Sequence, residues 1–153
     1  MTGVGIGVVI PSEVEGPAFQ FVTTAMIDLP NHRLFNHVTF QRAIAEFNRA
    51  HFFEAHELFE DLWRSAPGEQ KLFFQGLVQM SVAFHHHSQG NLMGAESVLK
   101  RALRNLSGYP EHFGGIELTR LRQSLQECVQ AFTENTPPPS LPQLKVTKTS
   151  KNV

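Results

Sequence analysis

The residues best suited to metal binding or catalysis are a histidine and a glutamate four positions apart. His56 and Glu60 belong to the sequence HELFE, inside a predicted helix. Residues four apart in a helix share a face, so these two side chains converge at the edge of an apolar stripe. An imidazole and a carboxylate on adjacent turns suit zinc, iron or manganese. HELFE is not the HExxH of zinc proteases, because a glutamate replaces the second histidine.

Three further polar residues share one side of the next predicted helix, which is otherwise apolar. Gln75, Gln79 and His86 fall within about 40 degrees of one another on a helical wheel. Burying such a side chain without a partner costs roughly 1–3 kcal/mol, so we expect partners inside the fold. Across the short turn between the two helices, Glu60 is expected to lie level with Gln75, and His56 with Gln79.

The same residues allow interpretations that need no ligand. In one, the polar side chains hydrogen-bond across the hairpin and fix the register of the helices. In another, Glu60 and Arg64 form an ion pair between adjacent turns. Glu57 points away from the apolar stripe, so it is a candidate general base only if it turns toward the pair. His86 lies about 10 Å along the helix from Gln79, which leaves its place among metal ligands open.

Other reactive side chains are explained more simply by structure. The three histidines at 85–87 diverge by about 100 degrees per residue, so they cannot all chelate one ion. In a last helical turn they complement the helix dipole. Cys128 lies near an apolar stripe and is expected to be a core thiol. A basic face on the fourth predicted helix, which we expect to be solvated, is formed by Lys100, Arg101 and Arg104.

Five predicted helices position these residues. Apolar side chains recur at helical spacing over residues 39–50, 52–65, 69–88, 92–107 and 117–133. Asn91 is expected to cap the fourth helix. The sequences around Ala55 and Ala95 form a weak repeat, with a period of about 40 residues. We therefore predict an all-α protein, a compact bundle of about five helices built from two antiparallel helical hairpins plus a C-terminal helix.

Composition predicts one helical domain between two irregular segments. The chain has 153 residues, of which 13 are phenylalanine, enough for a core of this size. We place the helical domain at residues 38–134. Residues 1–37 form an irregular N-terminal extension, rich in glycine and proline at its start, and residues 135–153 form a Pro-rich, Lys-containing disordered tail.

Charge and cysteine content exclude several classes of function. A formal net charge of −1 makes nucleic-acid binding unfavourable. The single cysteine excludes an internal disulfide and a multi-cysteine zinc site, and it favours a cytoplasmic location. No apolar run is long enough to cross a membrane, and the N-terminus lacks the basic region of a signal peptide.

Three stretches, in fixed order, resemble the domain-of-unknown-function family 309, whose members are small all-helical bacterial and archaeal proteins. These stretches are FNRAHFFEAHELFEDLW, FFQGLVQMSVAFHHHSQGNLMGA and LSGYPEHFGGIEL, and the resemblance spans about residues 41–125. Some family members are labelled as predicted metal-dependent hydrolases, so the resemblance implies a metal site. The polar set that the resemblance implies falls on Glu54, His56, Glu57, Glu60, Trp63, Gln75, Gln79, His86 and Asn91.

Two hypotheses of function follow. In the first, the domain holds a partly buried polar site for a divalent metal or a small polar ligand. His56, Glu60 and His86 are its candidate metal ligands, and Glu57 is its candidate catalytic base. The candidate binding residues are Gln75, Gln79, Trp63 and Asn91. In the second, the domain is a non-enzymatic interaction module similar to tetratricopeptide hairpins, with its polar residues sealed inside. A homodimer is compatible with either.

Overall fold

The computed structural model describes residues 34–147, where five α-helices follow one another. A 3-10 turn at Leu34–Asn36 precedes the helices, and a β-hairpin separates the last two. The helices are α1 (Val38–Asn48), α2 (Phe52–Ser65), α3 (Gly68–Ser88), α4 (Leu92–Leu106) and α5 (Leu118–Thr133). Each helix packs against the next one along the chain, so α3 lies between α2 and α4. The predicted all-α bundle is confirmed.

The observed helix ends lie within two residues of the predicted ones. The largest difference is at the end of α1, because Ala50 adopts a φ of 68°, in the left-handed region that ends a helix. The predicted cap of α4 is confirmed, since the Asn91 side chain accepts a hydrogen bond from the backbone N–H of Gly94 at 3.0 Å. This cap satisfies one of the free donors at the start of the helix.

The core is aromatic, and it includes a residue that the sequence placed outside the domain. Phe35 packs its ring at 5.4–5.8 Å, centroid to centroid, from four other phenylalanine rings. Those rings belong to Phe40, Phe73, Phe74 and Phe113. Such edge and stacked contacts add to the free energy of burial. The core of the domain therefore includes Leu34, which is itself buried.

The close contact between α3 and α4 depends on one glycine. A Cβ atom built on Gly76 would lie 2.7 Å from Cγ and Cδ2 of Leu106, well inside van der Waals contact. Leu106 is fully buried and has little room to move away. Gly76 therefore sets the distance at which α4 packs against the central helix.

A small β-hairpin between α4 and α5 was not predicted. Strands His112–Phe113 and Ile116–Glu117 pair in antiparallel register around Gly114 and Gly115. Both glycines have positive φ angles, of 61° and 79°. A Gly-Gly pair is a known signal for a two-residue hairpin turn, so the sequence did contain the information.

The C-terminal segment differs from the predicted disordered tail at 135–153. Asn48 and Leu144 exchange two hydrogen bonds, of 3.1 and 2.8 Å, between side chain and backbone. The backbone N–H of Thr147 donates to the carbonyl of Gly115 at 2.8 Å, which extends the hairpin. Leu144 is buried and supplies the apolar contact that composition alone did not reveal.

The two ends of the chain lie outside the described residues. Positions 1–33 of the predicted N-terminal extension and positions 148–153 of the predicted tail belong to this part. Within residues 34–147, no helix has the length and apolarity that crossing a bilayer requires.

Candidate functional site

Helix α2 positions the two central residues of the candidate site. Its apolar residues face the bundle, and its ends carry charges that suit the helix dipole, with Glu54 in the first turn and Arg64 in the last. His56 and Glu60 lie at the border between the buried and exposed sides, as the wheel predicted. The structure leaves 15% of the His56 side chain and 6% of the Glu60 side chain exposed.

The His56 imidazole presents a nitrogen lone pair toward Glu60. Nδ1 of His56 lies 3.0 Å from the carbonyl oxygen of Phe53. Because a carbonyl only accepts, Nδ1 carries the hydrogen, and this assigns the lone pair of the neutral ring to Nε2. Nε2 lies 3.6 Å from Oε1 of Glu60. A backbone carbonyl that orients a histidine in this way is typical of metal-binding imidazoles.

Glu60 carries the main electrostatic cost of the site. Burial raises the pKa of its carboxyl group, while the charge of Arg64, and that of His56 when its ring is protonated, act in the opposite direction. Its second oxygen, Oε2, is buried and has no hydrogen-bond partner among the described residues. The interpretation of Glu60 and Arg64 as an ion pair is wrong, because the Arg64 guanidinium pairs with Asp61 at 2.7 Å. Glu60 is therefore an incompletely compensated buried acid.

Trp63 lies one turn further along α2 and is also buried. Its indole Nε1 has no hydrogen-bond partner among the described residues. Lys71 of α3 places its ammonium group 4.1 Å from the centre of the indole ring and donates to the Trp63 carbonyl at 2.8 Å. These contacts fix the ring from the neighbouring helix. Lys71 was not among the predicted site residues, although its level across the hairpin from Trp63 indicates this contact.

Gln79 takes part in a different interface from the one predicted. It is buried, and its Oε1 accepts a hydrogen bond from Nδ2 of Asn105 on α4 at 2.7 Å. The observed partner of Gln79 is therefore on α4 and not across the α2–α3 hairpin, and its level with His56 stays a prediction. Gln75, one turn earlier, is half-buried. The sequence missed Asn105, whose spacing from the α4 stripe gave no signal.

His86 lies in a different environment from His56. Its Nδ1 is 3.5 Å from Nδ2 of Asn91, in the turn between α3 and α4. His85, its neighbour, lies closer to the site through Phe53, whose ring is 5.4 Å from the His85 ring and 5.2 Å from the His56 ring. The structure thus pairs His86 with Asn91, two residues that the sequence had assigned separately to metal and binding roles.

The described residues do not form a complete metal centre. Across residues 34–147, no group of three or more histidine, cysteine, aspartate or glutamate side chains is arranged to hold a metal ion. Glu57 is exposed to solvent, as the wheel predicted, whereas Glu60 is buried. A catalytic zinc site uses three protein ligands and keeps one open position. The donor set of this part of the chain therefore does not fit such a cofactor.

Cys128 is buried on α5, as expected for a core thiol. Burial raises the pKa of its thiol to about 11, so the group is protonated at neutral pH. Its Sγ lies 3.8 Å from the carbonyl oxygen of Ser140 in the C-terminal segment. A protonated, covered thiol is a poor nucleophile.

The geometry supports binding more directly than catalysis. Two ligand atoms at about 2.1 Å from a tetrahedral ion lie about 3.4 Å apart, close to the separation of the His56 and Glu60 atoms. The pair supplies two of the positions around a metal, and other groups must supply the rest. As it stands, the site has a lone pair, a buried anion and a fixed indole N–H within two turns of one helix.

Comparisons with known proteins support the resemblance found in the sequence. An uncharacterized protein of Aquifex aeolicus (strain VF5) is 31% identical over 93 residues, which are 60% of this chain and 28% of that protein. The uncharacterized protein YpuF of Bacillus subtilis (strain 168) is 31% identical over 84 residues, 54% of this chain and 47% of its own length. The matched region thus spans less than half of either relative.

The family model described as "Domain of unknown function (DUF309)" matches residues 40–98. This range contains α2, α3 and the candidate residues from His56 to Asn91. The chain is therefore similar to the DUF309 family over residues 40–98.

Proposed function

We propose that the domain binds a divalent transition-metal ion through Nε2 of His56 and Oε1 of Glu60, and that it exchanges this ion rather than retaining it. The observation that carries the proposal is the buried Glu60 carboxyl group, whose Oε1 lies 3.6 Å from the Nε2 lone pair of His56. A cation at this position would offset the cost of burying the acid.

The number of protein ligands sets the character of the binding. With two ligands from the described residues, the remaining positions are filled by water or by a small polar ligand that the ion carries. We therefore expect weak, reversible binding and derive no hydrolytic step. The roles of His86 as a ligand and Glu57 as a general base stay predictions, and so do the cytoplasmic location and the absence of nucleic-acid binding.

The test is calorimetric titration of untagged, chelator-treated protein with Zn²⁺, Mn²⁺ and Fe²⁺ in separate experiments. We expect the wild-type chain to bind one equivalent of at least one ion. His56→Ala and Glu60→Gln should each weaken that binding at least tenfold, which corresponds to about 1.4 kcal/mol. Glu60→Gln preserves the shape of the side chain and removes only its charge.

Two matched controls locate the ion. Glu57→Gln removes an exposed charge from the same helix and should leave the titration unchanged. His86→Ala distinguishes the proposed pair from the run of histidines at the end of α3. If His86→Ala abolishes binding while Glu60→Gln preserves it, the ion belongs to the histidine run and the proposal is wrong. A wild-type chain that binds none of the three ions has the same consequence.

The interaction module is the second candidate function. Glu60 and Gln79 are buried, which this hypothesis requires of the polar residues. Large apolar side chains are exposed on all four helices from α1 to α4, at Val38, Phe53, Leu72 and Met93. Phe53 lies beside His56, so a protein that covers it would compete with metal binding. Titration of the ion in the presence of such a protein would separate the two functions.

A further inference from the structure

Two buried polar atoms on consecutive turns of α2 have complementary hydrogen-bonding chemistry. Nε1 of Trp63 is a donor only, and Oε2 of the ionised Glu60 is an acceptor only. Both are shielded from solvent, and neither has a partner among the described residues, so they do not bond to each other. Leaving a buried group of this kind unpaired costs roughly 1–3 kcal/mol.

Neither side chain is free to turn outward and satisfy its group in bulk solvent. The indole ring of Trp63 is held under the ammonium of Lys71 at 4.1 Å, and the residue is 8% exposed. The carboxyl group of Glu60 is also enclosed, with the residue 5% exposed and its Oε1 3.6 Å from Nε2 of His56. The two atoms therefore need a further partner, and because residues three apart on a helix are neighbours, one group that accepts from the indole and donates to the carboxylate can serve both.

We infer that a single internal water molecule is bound between Trp63 and Glu60, accepting from the indole Nε1–H and donating to Oε2 of the carboxylate. Water is the smallest molecule that both accepts and donates, and both atoms are shielded from bulk solvent, where ordered internal water commonly satisfies such groups. The inference rests on these two atoms alone and does not require the proposed metal ion.

The chain offers a direct probe, because Trp63 is its only tryptophan. In ¹⁵N-labelled, chelator-treated full-length protein, the indole N–H gives one resonance that needs no further assignment. We expect a cross-peak between this proton and water, with the sign of a water that stays bound for longer than about a nanosecond. The absence of that cross-peak in the wild-type chain overturns the inference.

Substitutions test whether Glu60 is the second anchor. Glu60→Leu removes the acceptor and should abolish the water cross-peak, while the indole resonance remains. Glu57→Leu, on the exposed side of the same helix, is the matched control and should retain it. A cross-peak of wild-type intensity in Glu60→Leu means that the water is anchored elsewhere, which overturns the assignment. If Glu60→Leu does not fold, Glu60→Ala provides the same comparison, and the wild-type spectrum is decisive by itself.

Metal binding and the internal water fail independently. All of these spectra are recorded without metal, and the titration described above needs no water between the two residues. A chain that binds no ion but shows the cross-peak has the internal water as a purely structural group. A chain that binds an ion and shows no cross-peak has the metal site alone.

Discussion

The central helix α3 packs against α4 on one side and α2 on the other. Buried polar groups on the two sides differ in whether they have hydrogen-bond partners. Toward α4, the buried Gln79 oxygen accepts a short hydrogen bond from Asn105. On α2, which packs against the other side of α3, the buried Glu60 oxygen and the Trp63 nitrogen have no partner within the described residues. On the α4 side the buried amide is paired with another side chain of the protein. On the α2 side the buried polar atoms remain available to a bound ion or water.

This difference separates a structural contact from a candidate site. A paired amide gains roughly 0.5–1.5 kcal/mol and fixes the register of two helices. An unpaired buried acid costs free energy, and natural folds retain such groups mostly where function needs them. The two interfaces share one helix, so substitutions on either side can be compared in the same background.

The largest effect is expected from opening the closed interface. Asn105→Ala leaves the Gln79 oxygen buried without a donor, and we expect the free energy of unfolding to fall by about 1–3 kcal/mol. Denaturant unfolding followed by circular dichroism measures this loss. Arg104→Ala, an exposed neighbour on α4, is the control and should stay within about 0.5 kcal/mol of wild type. A loss for Asn105→Ala no larger than that of the control would mean the amide pair contributes nothing.

A smaller effect of opposite sign is expected at the open interface. Glu60→Gln removes a buried charge, and at pH 7.5 we expect a gain of about 0.5–1 kcal/mol in the free energy of unfolding. The folded-state pKa of Glu60 is raised above its ordinary value of 4.5. As pH rises above 4.5, the unfolded chain loses this proton first, so wild-type stability falls while that of Glu60→Gln does not.

The pH dependence is the discriminating part of this prediction. At pH 4 the Glu60 carboxyl group is mostly protonated in both states, and most of the gain should disappear. Unfolding curves of both variants at pH 4 and 7.5, in the presence of a chelator, give the comparison. A gain that is equal at the two pH values would mean that the buried charge is not its source. A loss at pH 7.5 would mean that the Glu60 charge is fully compensated in the fold.

The sequence predicted the helices well because their signals are local. Apolar spacing and the Asn91 cap depend on neighbours within a few positions, and all five helices were placed. The helical wheel also placed His56 and Glu60 at the border between the buried and exposed sides of α2, where the structure has them. Gly114-Gly115 held a hairpin signal that was overlooked rather than absent.

The predictions that failed were those that depended on which helices contact each other. The partner of Gln79 on α4 was not predicted, since a wheel gives the angle of a side chain but not the identity of the neighbouring helix. The contact of Leu144 with Asn48 joins residues that are 96 positions apart, which composition cannot reveal. The Arg64 partner was misassigned for a related reason, because Asp61 and Glu60 are both within its reach on one helix. Local patterns therefore located the candidate residues, and only the fold assigned their partners.

The smallest effect is expected at Arg64, and it tests whether the open interface is electrostatically isolated. The Arg64–Asp61 pair is about half exposed, so Arg64→Ala should change the free energy of unfolding by less than about 0.5 kcal/mol at pH 7. Asp61→Ala breaks the same surface pair and is the control, which should also stay within about 0.5 kcal/mol of wild type. A loss above 1 kcal/mol in Arg64→Ala alone would mean that the guanidinium compensates Glu60 in solution. Glu60 would then have a partner, and the contrast between the two sides of α3 would disappear.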